Sequence, residues 1–193
     1  ILTTAYGGVR PFLTPGMSVA VVGSGPVGLM AQMVAHALGA GQVYAIDPEE
    51  ARLEKAKALG SLPIHPKAED PVARVRRETE GLGADLVVEA VGGDGEALKL
   101  ALRLAGPGAV VSSLGVPTAE RLDYPWLPAF SRGITLRSAL ANVPRWIGEV
   151  LALQKAGRLK GSFVFSHRLP LEEAPEGYRL FHERKATKVA LVP

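Results

Sequence analysis

Gly23, Gly25 and Gly28 recur in the run Gly23-Ser24-Gly25-Pro26-Val27-Gly28, behind Val19-Ala20-Val21-Val22 and ahead of Leu29-Met30-Ala31-Gln32-Met33-Val34-Ala35. The first apolar run reads as a strand and the second as a helix. At such a junction Gly23 allows a tight turn, Gly25 lets a pyrophosphate approach the backbone, and Gly28 lets helix and strand pack closely. The free N–H groups and the positive dipole end of the helix then face the phosphates. Gly23, Gly25, Pro26, Val27 and Gly28 are therefore candidate cofactor-binding residues. Asp47 lies nineteen residues after Gly28, at the end of the next predicted strand, where a dinucleotide fold places the carboxylate that receives the adenosine ribose hydroxyls. Asp47 also reads as an N-cap for the helix opening at Pro48-Glu49-Glu50, and one side chain could serve both purposes. Between Asp47 and Arg52 there is no basic residue. A 2′-phosphate there would meet like charge worth about 1–4 kcal/mol per close pair, so NAD is expected rather than NADP.

The elements that must hold these residues follow from the rest of the pattern. The chain has 193 residues, of which 47% are hydrophobic and 21% charged, a globular composition. Apolar runs fall short of the roughly 20 residues that span a bilayer, and there is no charged-then-apolar leader, so neither a membrane nor an export route is expected and the cytoplasm is. Zero cysteine removes disulfides and thiolate metal sites. The formal charge of +3 does not imply nucleic acid, because basic and acidic residues interleave, as in Arg74-Val75-Arg76-Arg77-Glu78. The chain starts at Ile1 rather than methionine and is expected to be part of a longer polypeptide.

In chain order, residues 1–10 form a short helical or irregular lead-in. Strands are expected over 17–22, 42–46, 61–64, 85–91, 109–114 and 134–138, and helices over 26–39, 51–59, 70–80 and 95–105. Pro63 places the third strand at an edge, and residues 117–133 read as irregular. Six strands alternating with helices imply an α/β, doubly wound parallel sheet of the Rossmann type in the order 3-2-1-4-5-6. Ligand then lies at the carboxyl ends of the strands. The exits Val91-Gly92, Leu114-Gly115-Val116 and Ser138 through Ala141 are expected to approach it. Beyond them Trp146, Ile147, Val150, Leu151 and Leu153 predict an amphipathic helix ending at Gly157, then a strand Phe163-Val164-Phe165.

Thr3-Thr4-Ala5-Tyr6, the glycine loop, Asp47-Pro48-Glu49-Glu50-Ala51-Arg52-Leu53, and the tail Ser166-His167-Arg168-Leu169-Pro170-Leu171 through Lys188-Val189-Ala190-Leu191-Val192-Pro193 together resemble the medium-chain, zinc-dependent alcohol dehydrogenase superfamily. The wording is closest to its formaldehyde dehydrogenase-related members. The resemblance implies that Val27 and the loop amides hold the pyrophosphate, Asp47 the ribose and Arg52 the adenosine end. It implies further that Leu114, Gly115, Val116, Leu140 and Ala141 line the nicotinamide side, with Thr4 near the ring and Lys188 able to reach the pyrophosphate. It implies three parts: a lead-in over 1–11 from a catalytic domain, an NAD-binding domain over 12–140, and a segment over 141–193 that returns to the catalytic domain. The whole enzyme would exchange hydride between an alcohol or aldehyde and NAD, with zinc as the Lewis acid, and form a homo-oligomer through its sixth strands.

The resemblance places the zinc ligands in a domain upstream of Ile1. His36, His65, His167 and His182 are scattered without paired spacing, so neither metal ligands nor catalytic residues are expected here, and the segment by itself is expected to be inactive. A non-catalytic NAD-binding or sensing module would share the same loop. A short-chain dehydrogenase needs Tyr and Lys four apart, but Tyr6, Tyr44, Tyr124 and Tyr178 are followed at that spacing by Arg10, Pro48, Pro128 and His182. A methyltransferase reading leaves the tail unexplained.

Overall fold

The computed structural model describes residues 1–138 and 140–193. Helix α1 (Leu2–Val9) leads into β1 (Ser18–Val22), α2 (Pro26–Ala37), β2 (Gln42–Ile46), α3 (Glu50–Ala58), β3 (Leu62–Ile64), α4 (Pro71–Glu78) and β4 (Ala84–Glu89). Then come α5 (Glu96–Leu104), β5 (Ala105–Ser113), α6 (Trp126–Ser131), β6 (Thr135–Ser138) and α7 (Val143–Lys155). The tail adds β7 (His167–Pro170), α8 (Ala174–His182) and β8 (Val189–Val192). β1 to β6 form a six-stranded sheet in the order β3-β2-β1-β4-β5-β6, parallel at every pairing. This is the doubly wound order that the alternation predicts. Pro63 sits in β3 at the sheet's edge, where a missing N–H costs least.

Alternation along the strands divides the core into two layers. Val19 and Val21 face one side with Leu29, Met30 and Val34 of α2, Ala5, Tyr6 and Val9 of α1, and Val150 of α7. Ala20 and Val22 face the other, with Val72 and Val75 of α4 and Ala101 and Leu102 of α5. Both faces of β1 are buried, which is why its sequence is an unbroken apolar run. α1 and α7 also meet through Tyr6, whose ring lies edge-on to Trp146 at 5.7 Å and whose hydroxyl donates to Glu149 at 2.8 Å.

The structure corrects the expected bounds in four places. β4 ends at Glu89 instead of Val91, because the Glu89 carboxylate accepts the N–H groups of Val91 and Gly92 and draws them out of the ladder. β5 starts at Ala105, not Ala109. Ala105 pairs with Ala84 and the register then slips to Val110 against Leu86, so Pro107-Gly108 is an irregularity within the strand rather than a turn before it. The stretch read as irregular holds α6. Phe163-Val164-Phe165 is not a strand: Gly161–Val164 is a 3-10 turn, closed by Phe163 N–H donating to Lys160 and Phe165 N–H to Ser162. Val164 is thereby buried in the α2 layer, and the strand forms at β7, which pairs in parallel with β8.

His36, on α2, is packed rather than free: Nε2 lies 3.1 Å from Ser61 Oγ, and burial lowers its pKa from the ordinary 6.5. The unfolded chain therefore takes up this proton more readily than the folded one. The contribution of neutral His36 to stability is complete above pH 6.5 and declines as the pH falls below it. Urea unfolding between about pH 5 and 8 should show a destabilising effect of His36→Ala that is largest at the upper end and shrinks toward the lower.

The β1–α2 turn gives a second expectation. A Cβ built on Gly28 collides with the carbonyl oxygen of Gly23, a backbone atom that cannot move aside cheaply. Gly28→Ala should destabilise the fold by about 1–3 kcal/mol, as overpacking does, and lower Tm in a thermal scan.

Candidate functional site

The glycine loop sits where β1 ends and α2 begins. Gly25 is the N-cap of α2, without a capping side chain, and no acid lies in the first turn. The helix's leading N–H groups and positive dipole end are thus left for an anion. A Cβ at Gly25 would meet nothing within 4 Å, so the space over this helix end is open. Gly23, with φ of +92°, makes the turn.

Asp47 is 1% exposed and ties β2 to that loop. Its Oδ2 accepts Ser24 N–H at 2.7 Å and its Oδ1 accepts Glu49 N–H at 2.9 Å. Arg52 Nη1 stands 3.4 Å from Oδ2. The capping reading is corrected in detail, because Glu49, not Asp47, is the N-cap of α3; Asp47 closes the turn just before it. Ser24 is itself fully buried, and its hydroxyl accepts a hydrogen bond from Gln32 Nε2 at 3.0 Å. The loop is therefore held from β2 and from α2.

The other end of the site lies over β5 and β6. Thr4 of α1, Leu114 after β5, and Leu140 and Ala141 after β6 line one cavity of about 440 Å³ with Arg137, Asn142, Arg145 and Trp146. Residues distant in sequence converge there because α1 packs against α2 and α7 beside the strand ends. Ala139, within the expected Ser138–Ala141 approach, lies outside the described residues. Val91, Gly115 and Val116 stand at the exits of β4 and β5, with Val91 57% and Val116 69% exposed. The two exits touch so closely that a Cβ on Gly115 would overlap Gly92 N, and Gly93 N–H donates to Val116 O at 2.9 Å.

Lys188 is elsewhere. It lines a groove in the tail with Ala174, Gly177, Tyr178, Phe181, Val189 and Leu191. The tail touches the sheet domain through Lys55 Nζ on Thr187 Oγ1 at 2.8 Å and Arg184 Nη1 on Glu49 at 2.9 Å. Among the described residues no three His, Asp or Glu groups stand close enough to hold a metal ion, and no helix is long and apolar enough to cross a membrane. Gln32 and Glu89 are among the buried polar side chains that escaped the spacing argument. Each interrupts an otherwise apolar stretch, which is the signal that could have found it.

Residues 26–156 match the family model described as zinc-binding dehydrogenase. The chain belongs to the zinc-binding dehydrogenase family. It is 39% identical over 181 residues to a probable zinc-binding alcohol dehydrogenase of Mycobacterium tuberculosis, covering 93% of this chain and 46% of that protein. To the L-threonine 3-dehydrogenase of Bacillus licheniformis it is 36% identical, covering 94% of this chain and 53% of the other. Among solved structures, the alcohol dehydrogenase TADH from Thermus sp. ATN1 superposes with a TM-score of 0.95 at 51% identity, over 99% of this chain and 55% of that one. The chain thus spans about half the length of these relatives. With them it shares membership of an oxidoreductase family.

The openness at Gly25 makes the ligand test separable from folding. Gly25→Val places its side chain in unoccupied space at a φ of −68°, so Tm should stay within about 2 °C of the parent, since most substitutions clear of packed neighbours cost little. A large loss of Tm would show that Gly25 is needed for the fold itself.

Proposed function

We propose that this chain is the NAD(H)-holding part of a zinc-dependent alcohol dehydrogenase, its three parts falling at 1–11, 12–140 and 141–193. The observation that carries the reading is the uncapped α2 terminus with open space at Gly25, set beside a buried acid at the end of β2. The pyrophosphate is held by the amides of the Gly23–Gly28 loop, including that of Val27, and by the helix dipole. Asp47 keeps lone pairs beyond those used by Ser24 and Glu49. Arg52, whose contact with it is long, gives way to the ribose hydroxyls and turns to the adenosine. Val91, Leu114, Gly115, Val116, Thr4, Leu140 and Ala141 hold the nicotinamide end, and Lys188 approaches the pyrophosphate through movement of the tail.

NAD, when bound, accepts or returns a hydride at its nicotinamide ring. The share of this chain is to fix where that ring lies, an orientation effect. Its residues do not fit zinc, since no cluster of candidate ligands exists among the described residues, and no zinc-dependent step is assigned to them. The substrate is an alcohol or aldehyde. A homo-oligomer is proposed through β6, which is one edge strand of the sheet, beside α6 with Trp126, Leu127 and Phe130 largely exposed.

Calorimetric titration should show NADH binding at least about tenfold tighter than NADPH, the difference that repulsion of a 2′-phosphate by Asp47 and Glu50 implies. Tighter NADPH binding would reverse the cofactor assignment. Gly25→Val should abolish NADH binding, and the purified 193-residue chain should bind NADH without oxidising alcohols.

A further inference from the structure

Glu89 is 1% exposed at the end of β4, in a strand whose neighbouring positions are Leu86, Val87 and Val88. Burying a carboxylate is costly unless donors compensate it, and here they converge from two strand exits. Oε1 accepts Val91 N–H at 2.7 Å and Gly92 N–H at 2.6 Å. Oε2 accepts Ser113 Oγ–H at 2.9 Å. The backbone carbonyl of the same residue accepts Leu114 N–H at 2.8 Å and Gly115 N–H at 3.2 Å. One residue thus ties together the segments leaving β4 and β5. An apolar side chain would fill the same volume and leave the Val91 and Gly92 amides unpaired.

We infer that Glu89 is a positioning residue for the nicotinamide end of the dinucleotide: it orients the Val91-Gly92 and Leu114-Gly115 peptides that meet the ligand, without touching the ligand itself. The inference rests on the NAD(H) reading of the site. It distinguishes two ends of one cofactor, because the adenosine and pyrophosphate end is organised independently by Asp47 and the glycine loop. Loss of Glu89 should therefore separate affinity for a whole dinucleotide from affinity for its adenosine diphosphate half.

The test is fluorescence and calorimetric titration of the full chain, parent and variants, with NADH and with ADP, alongside thermal scans. Glu89→Ala should weaken NADH binding about tenfold or more, the cost of unpairing buried donors, while ADP binding stays within about threefold. Glu89→Gln should recover NADH binding to within about threefold, because its amide oxygen can accept both N–H groups and its NH₂ can donate to the Ser113 hydroxyl. Ser113→Ala, which removes one hydroxyl and tests the same link with less risk to folding, should weaken NADH alone and by a smaller factor. Equal losses of NADH and ADP would overturn the inference, as would an unchanged NADH-to-ADP ratio in Glu89→Ala. If Glu89→Ala does not fold, an unchanged ratio in Ser113→Ala overturns it. A parent chain that binds neither ligand overturns the cofactor reading, and this inference with it.

Discussion

The distance between the end of β1 and the first turn of α2 governs everything at the carboxyl edge of the sheet. The two come close enough that position 28 has no room for a side chain against the Gly23 carbonyl. That approach aims the unpaired N–H groups of α2 along the crevice above the strands, where partial positive charge from backbone dipoles accumulates. It also keeps Met30 and Val34 seated in one core layer. Packing and the anion-facing geometry are one constraint, since a helix displaced outward to admit a methyl group would loosen both.

Buried carboxylates fix the backbone around that crevice. Asp47 follows β2 and Glu89 ends β4, and each takes backbone N–H groups from the loop beside it. Loops lack a ladder to satisfy their amides, so a charged acceptor inside the protein compensates for its own desolvation by ordering them. The arrangement is divided along the crevice. Asp47 serves the exits of β1 and β2, and Glu89 those of β4 and β5, on either side of the point where the strand order reverses. A ligand spanning the crevice therefore meets two separately organised surfaces.

The remainder of the chain divides by how much it buries. α1 and α7 join the core beneath the cavity, with Tyr6, Trp146 and Glu149 linking them. The β7–α8–β8 unit packs chiefly on itself, and Tyr178 and Phe181 of α8 remain 76% and 53% exposed. The few polar links from this unit to α3, through Thr187 and Arg184, are weak holds compared with a packed core.

Much of the sheet domain was legible in the sequence because its signals are local. Val19–Val22 is apolar on both faces, the glycine spacing is a backbone requirement, and Asp47 follows at a distance set by one helix and one strand. Pro63 likewise had to lie at an edge. The tertiary structure decided what depends on partners remote in the chain. It closed β4 at Glu89, because that side chain captured the amides of Val91 and Gly92, and began β5 at Ala105, because Ala84 was there to pair with it. Val164 entered the core through a 3-10 turn, and the nearby strand formed where β8 could pair. It also gathered Thr4, Leu114 and Leu140 around one cavity while leaving Lys188 in the tail. Sequence spacing determines local backbone geometry, but the convergence of side chains is set by packing between elements far apart along the chain.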